Sequence, residues 1–173
     1  MISLNIGNSH IRIRDLKEED LQLIFKWYNM ADEFRFATGF DEPVWFDELE
    51  NMYAGAILQV NVFFAGIYNE NDIMIGMLNG RIIADSKSRL WISVFAIDPV
   101  YRRKGYGSTA LNMLIEHFAA RNISSIYIAV AEENTGGKRF WERQYFQEIK
   151  KIEHTRMRMG GYSDIVIMRR ELV

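Results

Sequence analysis

The 173-residue chain is predicted to fold as one α/β (α+β) domain spanning residues 1–173, and three observations carry that prediction. Hydrophobic spacing switches repeatedly between the period of two of a half-buried strand and the 3.6 period of an amphipathic helix. Two strand-like runs flank "NEND" (69–72), a turn-rich tetrapeptide that fits a hairpin. A third apolar run, "RLWISVFAI" (89–97), leads through a glycine-containing loop into an amphipathic stretch, as where a strand feeds a helix. The length suits one domain and allows burial of about 70% of the unfolded surface. No linker, repeat or low-complexity stretch interrupts it.

The elements follow in order. "HIRIR" (10–14) alternates apolar and basic residues and reads as a short strand. After Asp15 and its loop, "EEDLQLIFKWY" places Leu21, Ile24, Phe25 and Tyr28 at helical spacing. Pro43 is positioned to start a second helix across 44–58. "VNVFFAGIY" (60–68) and "IMIGMLNGRII" (73–83) are the hairpin strands, and 89–97 extends their sheet. From Gly107, the apolar residues Ala110, Leu111, Leu114, Ile115 and Phe118 mark a helix ending near Arg121 and Asn122. "SIYIAV" (125–130) is a strand and "GGKRFWERQYF" (136–146) a short helix. "EIKKIEHTRM" and "YSDIVIMRREL" form a closing hairpin around Gly160 and Gly161. The sum is about seven strands and four helices.

Composition narrows the function classes. Hydrophobic residues make up 49% and charged residues 25%, the balance of an ordinary soluble domain. A net charge of −2 speaks against a nucleic-acid partner, which calls for a basic excess. With no cysteine, disulfides and thiolate metal sites are excluded, and no metal site is expected. "MISLNIGNSHIRIRDL" lacks the apolar core of a signal peptide. No run approaches the roughly 18 apolar residues of a membrane span. The expectation is a cytoplasmic protein with no membrane partner.

The chemistry concentrates in "IDPVYRRKGYGSTAL" (97–111). Asp98-Pro99 ends the strand, because proline cannot donate to a ladder. Arg102, Arg103 and Lys104 supply cations, and Gly105 and Gly107 permit positive φ and close backbone approach. Tyr106 and Ser108 lie within the same turn, where a helix begins and its unpaired N–H groups and positive dipole end meet the cations. This is a pyrophosphate cradle. Gly105-x-Gly107-x-x-Ala110 also fits the dinucleotide pattern G-x-G-x-x-G/A, with Glu132 as the following acid. That motif, however, needs its first glycine directly after the strand of a βαβ unit. Here Pro99 to Lys104 intervene, and no ATP-binding P-loop sequence is present.

"VFAIDPVYRRKGYGSTAL" resembles motif A of the GNAT superfamily of acyl-CoA-dependent N-acetyltransferases, with Arg102-x-x-Gly105-x-Gly107 filling its R/Q-x-x-G-x-G/A pattern. "NTGGKRFWERQYF" (134–146) resembles the family's N-x-x-A-x-x-x-Y-E-x-x-G-F segment through Asn134, Gly137, Trp141, Glu142 and Phe146. The resemblance implies the GNAT fold: a mixed central sheet of about seven strands, splayed at its middle and flanked by about four helices. It implies acetyl-CoA (coenzyme A) as the acyl donor, held by Phe95, Ile97, Arg102, Arg103, Lys104, Gly105, Tyr106, Gly107, Ser108, Asn134 and Trp141. Phe95 and Ile97 would offer backbone groups to the pantetheine arm as if to an added strand. An N–H near Phe95 would polarise the thioester carbonyl, a catalytic role.

The sequence departs from the family at position 141, where Trp141 replaces the tyrosine that serves as general acid. Tyr145, four residues on, is a substitute in reach of the same helix face, although it fills the family's glycine position. The coenzyme thiol should resemble cysteine, near pKa 8.5, and needs little help in leaving. Glu132, after the strand 125–130, and His154, on the closing hairpin, are the candidate bases. Between Met30 and Met52 lie Asp32, Glu33, Asp41, Glu42, Asp47, Glu48 and Glu50, interleaved with Phe34, Phe36, Phe40, Trp45 and Phe46. In the implied fold this stretch walls the acceptor site, and acids with aromatic faces suit a cation. The expected activity is N-acetylation of a small-molecule primary amine: a polyamine, an aminoglycoside or a peptide N-terminus. A homodimer is compatible with it. A non-catalytic acyl-CoA-binding module is the alternative, and a dinucleotide-dependent oxidoreductase the third reading.

Overall fold

The computed structural model describes residues 1–39, 42–84, 88–156 and 162–172, with the backbone alone at 31–33 and 156. The order is β1 (Asn5–Gly7), β2 (Ile11–Asp15), α1 (Leu21–Tyr28), α2 (Ala31–Thr38), α3 (Phe46–Ile57), β3 (Val62–Asn69), β4 (Met74–Ile83), β5 (Arg89–Ile97), α4 (Tyr106–Ala119), β6 (Ser125–Ala131), α5 (Thr135–Arg143), β7 (Gln147–Arg156) and β8 (Tyr162–Glu171). The strands form one sheet in the order β1-β2-β3-β4-β5-β6-β8-β7. Every neighbouring pair is antiparallel except β5 and β6, which run parallel and are joined across by α4.

The sheet buries apolar side chains on both faces. On one face Ile13, Phe63, Leu78, Ile92 and Ile128 pack with Leu111, Leu114 and Phe118 of α4 and Trp141 of α5. On the other, Phe64, Met77, Val94 and Ala96 pack with Leu21, Ile24 and Trp27 of α1, Phe34 of α2 and Leu49 of α3. No helix among the described residues is long and apolar enough to cross a membrane.

Among the described residues eight strands and five α-helices are found, against about seven and four expected. β1 is three residues long, too short to show a period, and is held by pairing Asn5–Gly7 with Arg14–Arg12 of β2. The region between the first two expected helices contains α2, whose left-handed cap is Gly39 at φ +74°. The second expected helix begins at Phe46, later than Pro43 suggested. Asn29 holds Val44 extended, accepting from its N–H at 3.0 Å and donating to its carbonyl at 3.1 Å. The Glu48 carboxylate then caps the helix start by accepting from the Trp45 N–H at 2.9 Å. The expected turn at Gly160 and Gly161 lies outside the described residues.

Candidate active site

The central parallel pair separates partway along. β5 and β6 are in register only over Arg89–Ile92 and Ser125–Ile128. Beyond that, Ala129 to Ala131 of β6 pair only with β8, while Val94 to Ile97 of β5 stay with β4. The divergence starts at a bulge: Asn79 opposes Val94 and Gly80 opposes Ile92, leaving Ser93 unmatched. An extra residue bends its strand away from the neighbour. At the far end the Asp98 N–H donates to the Ile75 carbonyl at 2.8 Å. Antiparallel alternation therefore turns the backbone groups of Phe95 and Ile97 away from β4 and into the gap. An open strand edge of this kind accepts an extended ligand.

Phe95 and Ile97 send their side chains to the α4–α5 face. The Phe95 ring stacks on Phe140, with centroids 6.0 Å apart, and meets the edge of Trp141 at 5.5 Å. Trp141 is buried and also contacts Phe146 at 5.0 Å. Its position supports the wall of the gap by packing, and its indole carries no proton suited to a thiolate.

The loop after β5 is built by Asp98. Its carboxylate accepts from the Val100 N–H at 3.0 Å and from the Trp27 indole N–H at 2.9 Å. The chain then takes positive φ at Arg103 (+59°) and Gly105 (+87°) before α4 begins at Tyr106. Gly107, expected to share that freedom, is helical instead. An added Cβ there would sit in ordinary van der Waals contact, 3.6 Å from both Ile97 and Phe140, so only a side chain larger than a methyl would crowd this turn. Gly105 gives α4 no capping side chain, so the first N–H groups of the helix are left for a ligand. Arg102, Arg103 and Lys104 are exposed around them. The Arg102 Nε donates to the Ile97 carbonyl at 2.8 Å, and the Lys104 ammonium sits 5.4 Å from the Tyr101 ring centroid. The Tyr106 hydroxyl donates to Glu70 at 3.2 Å.

Other expected ligands have partners within the chain. The Ser108 hydroxyl accepts from the Gln144 amide at 3.0 Å. Asn134 caps α5 by accepting from the Gly137 N–H at 2.9 Å. Glu132 follows β6 at the gap, where its carboxylate lies 3.1 Å from Lys138 and 3.2 Å from Lys151; Lys151 also reaches Asp164 at 3.3 Å. Hydrogen bonding from Lys138, then Lys151, holds the Glu132 carboxyl below its usual range and weakens it as a proton acceptor. His154 is exposed in a bulge of β7 at φ +48°, its N–H donating to Asp164 at 3.1 Å.

Tyr145 is 77% exposed, with the Arg170 guanidinium 5.5 Å from its ring. Arg170 opposes Ile126, which opposes Leu90, so the guanidinium beside this ring comes from the closed part of the sheet. Its φ of +64° explains why the family places glycine there.

The acceptor wall is only partly as expected. Phe34 is buried in a stack on Trp27, with centroids 5.6 Å apart, and Phe46 meets Phe25 edge-on at 5.4 Å. Trp45 is 74% exposed, and Glu42, Asp47 and Glu50 are also exposed. Phe40 and Asp41 lie outside the described residues, as do the side chains of Asp32 and Glu33. Sequence reasoning missed Ser93 and Trp27. An unmatched strand residue has no signature in a continuous apolar run, and Trp27 falls beside, not on, the apolar face chosen for the first helix.

The sequence pattern of the acetyltransferase (GNAT) family matches residues 21–146. A spermine/spermidine N(1)-acetyltransferase of Bacillus subtilis (strain 168) is 32% identical over 87 residues, covering 47% of this chain and 57% of that protein. The chain thus spans little more than half the length of that curated relative. The [ribosomal protein bS18]-alanine N-acetyltransferase of Haemophilus ducreyi is 26% identical over 102 residues, 58% of this chain and 68% of that protein. The crystal structure of spermidine N-acetyltransferase from Vibrio cholerae, in complex with CoA and spermine, superposes with a TM-score of 0.83 at 23% identity. It covers 95% of this chain and 97% of that one, a likeness of fold.

Proposed function

The chain belongs to the GNAT family of acetyltransferases, and from that premise we propose that it moves an acetyl group from acetyl-CoA to the primary amine of a small cationic acceptor. The observation that carries this reading is the open edge of β5 at Phe95 and Ile97, lying beside the uncapped start of α4. The residues fit the coenzyme. Backbone groups of Phe95 and Ile97 would hold the pantetheine arm, and the first N–H groups of α4 the pyrophosphate. Arg103 and Lys104 are available to outlying phosphate. The coenzyme supplies the activated acetyl thioester.

The chain's own part is electrostatic and steric. The Phe95 N–H, fixed in the gap, donates to the oxygen on which negative charge develops during amine attack. A primary amine near pKa 10.4 is mostly charged at pH 7, and reaching its neutral form costs about 4 to 5 kcal/mol. The apolar Val94 and Ala96 on the acceptor side favour that neutral form by desolvation. With no side-chain acid assigned, the thiolate departs unassisted, as its low basicity permits. Exposed Glu42, Asp47 and Glu50 attract a cationic acceptor, consistent with a relative named for spermine and spermidine. In this reading the enzyme is cytoplasmic and residues 1–173 form one domain.

Trp141 in place of the family's tyrosine favours a second reading, an acyl-CoA-binding module without turnover. A thermal-shift series with acetyl-CoA, NAD and ATP, followed by thiol release across spermidine, an aminoglycoside, a basic peptide and a neutral amino acid, separates the two. Stabilisation by acetyl-CoA and thiol release with a cationic amine are expected. Binding without release for any amine would favour the module, and stabilisation by NAD alone would overturn the coenzyme assignment.

A further inference from the structure

Four side chains join the helices of the acceptor wall to the loop that forms the cradle. Trp27 of α1 is fully buried, stacks on Phe34 of α2 at 5.6 Å and donates its indole N–H to the Asp98 carboxylate at 2.9 Å. Asp98 fixes the start of the loop from three directions: its own N–H to Ile75, and its two carboxylate oxygens to Val100 and Trp27. Four residues on, Arg102 returns to the same helices. Its guanidinium carbon lies 5.6 Å from the Phe34 ring centroid while its Nε holds the Ile97 carbonyl. The contacts close a circuit from Trp27 through Asp98, the loop, Arg102 and Phe34 back to Trp27.

We propose that Trp27 is a positioning residue that couples the coenzyme loop to the acceptor wall, so that coenzyme binding orders α1 and α2. The inference rests on the coenzyme reading above. The geometry gives it a route. A ligand pairing with the edge of β5 meets the Ile97 carbonyl that Arg102 already holds, so the Arg102 side chain must share or leave that acceptor. Either change alters its packing on Phe34, and Phe34 is stacked on the indole that anchors Asp98. A purely structural role for Trp27 needs only its ring. The coupling needs its N–H as well, because that donor is what ties α1 to the loop. Coupling of this kind is reciprocal, so an acceptor that orders α2 also tightens the coenzyme.

The test uses CoA alone as ligand and reads backbone hydrogen exchange in the intact chain, which requires no knowledge of the acceptor. In wild type, saturating CoA is expected to slow exchange at 97–108 and, by severalfold, across 21–38. Trp27→Phe keeps an aromatic ring against Phe34 but removes the donor. It should retain protection at 97–108 and lose most of the added protection at 21–38. Asp98→Asn, which preserves an acceptor for the Val100 N–H, provides a second variant and decides the matter if Trp27→Phe does not fold. Equal CoA-induced protection of 21–38 in wild type and a folded variant would overturn the coupling, as would its absence in wild type. Lack of protection at 97–108 in wild type is a different failure, because it removes the coenzyme reading itself.

Discussion

At the scale of single residues, the two motif glycines divide their work. Gly105 holds a φ of +87°, where a side chain clashes with its own backbone, while Gly107 is helical and simply leaves room. Gly105→Ala is therefore expected to destabilise by about 1 to 2 kcal/mol, a fall in unfolding midpoint of about 2 to 8 °C. Gly107→Val should shift the midpoint by no more than about 3 °C yet weaken acetyl-CoA binding at least tenfold. A differential scan beside a titration checks both, and tight coenzyme binding by Gly107→Val would remove the cradle from the site. Tyr145→Phe should release thiol at the wild-type rate across pH, since that ring is exposed to solvent beside Arg170. Slower thiol release by Tyr145→Phe would instead give Tyr145 the acid's part. What the residues announced in sequence was chemistry at one loop: three cations, two glycines and a helix start. The bond between Trp27 and Asp98 was hidden because an indole pairing with a carboxylate 71 positions away leaves no local pattern.

At the scale of elements, strands β2 to β8 and helices α1, α3, α4 and α5 were readable from their periods, with ends moved by a few residues. The splay was not. "WISVFAI" looks like an unbroken buried strand, yet the bulge at Ser93 turns Ile92 toward α4 and Val94 toward α1–α3, against the two-residue repeat. The far wall of the gap is tied by charge, with Lys138 of α5 and Lys151 of β7 sharing Glu132 after β6, and Asp164 of β8 completing the group. Both acids titrate below their usual range, Glu132 chiefly through Lys138 and Asp164 chiefly through the His154 N–H. A carboxyl held low in the folded chain adds stability that is complete above its unfolded pKa, about 4.3 for glutamate. That stability is lost as pH falls through the lower folded value. Glu132→Gln should therefore show less loss of stability than wild type as pH falls below about 4, read by chemical denaturation at stepped pH. Its thiol release at pH 8 should stay within about threefold of wild type if Glu132 is an ion-pair partner only. A hundredfold fall, in the range set by loss of a general base, would restore it as the base.

At the scale of the whole molecule, the proposed cationic acceptor raises the question of how a chain of net charge −2 would draw a cation to one mouth of a sheet. Exposed Asp47 and Glu50 are separated on α3 by Glu48, whose carboxylate caps the helix, and by buried Leu49. Phe34, which the sequence offered as a face for ammonium groups, is instead committed to Trp27, which leaves exposed Trp45 and the carboxylates to provide the attraction. Charges in solvent act through a field screened over about 8 to 10 Å at physiological salt, which makes their effect one of capture more than of grip. The acceptor KM should accordingly rise with ionic strength in wild type. A variant carrying Asp47→Asn and Glu50→Gln should start from a higher KM and show a shallower salt dependence, with acetyl-CoA affinity unchanged because α3 lies against β3 and α1, away from the cradle. Glu48 is kept so that the helix start is not disturbed. If these acids only solvate α3, neither the KM nor its salt slope will move. Comparison of spermidine with a neutral amino acid at matched ionic strength then assigns the effect: steering requires that only the cationic acceptor respond, and equal responses would trace the change to the fold of α3 instead.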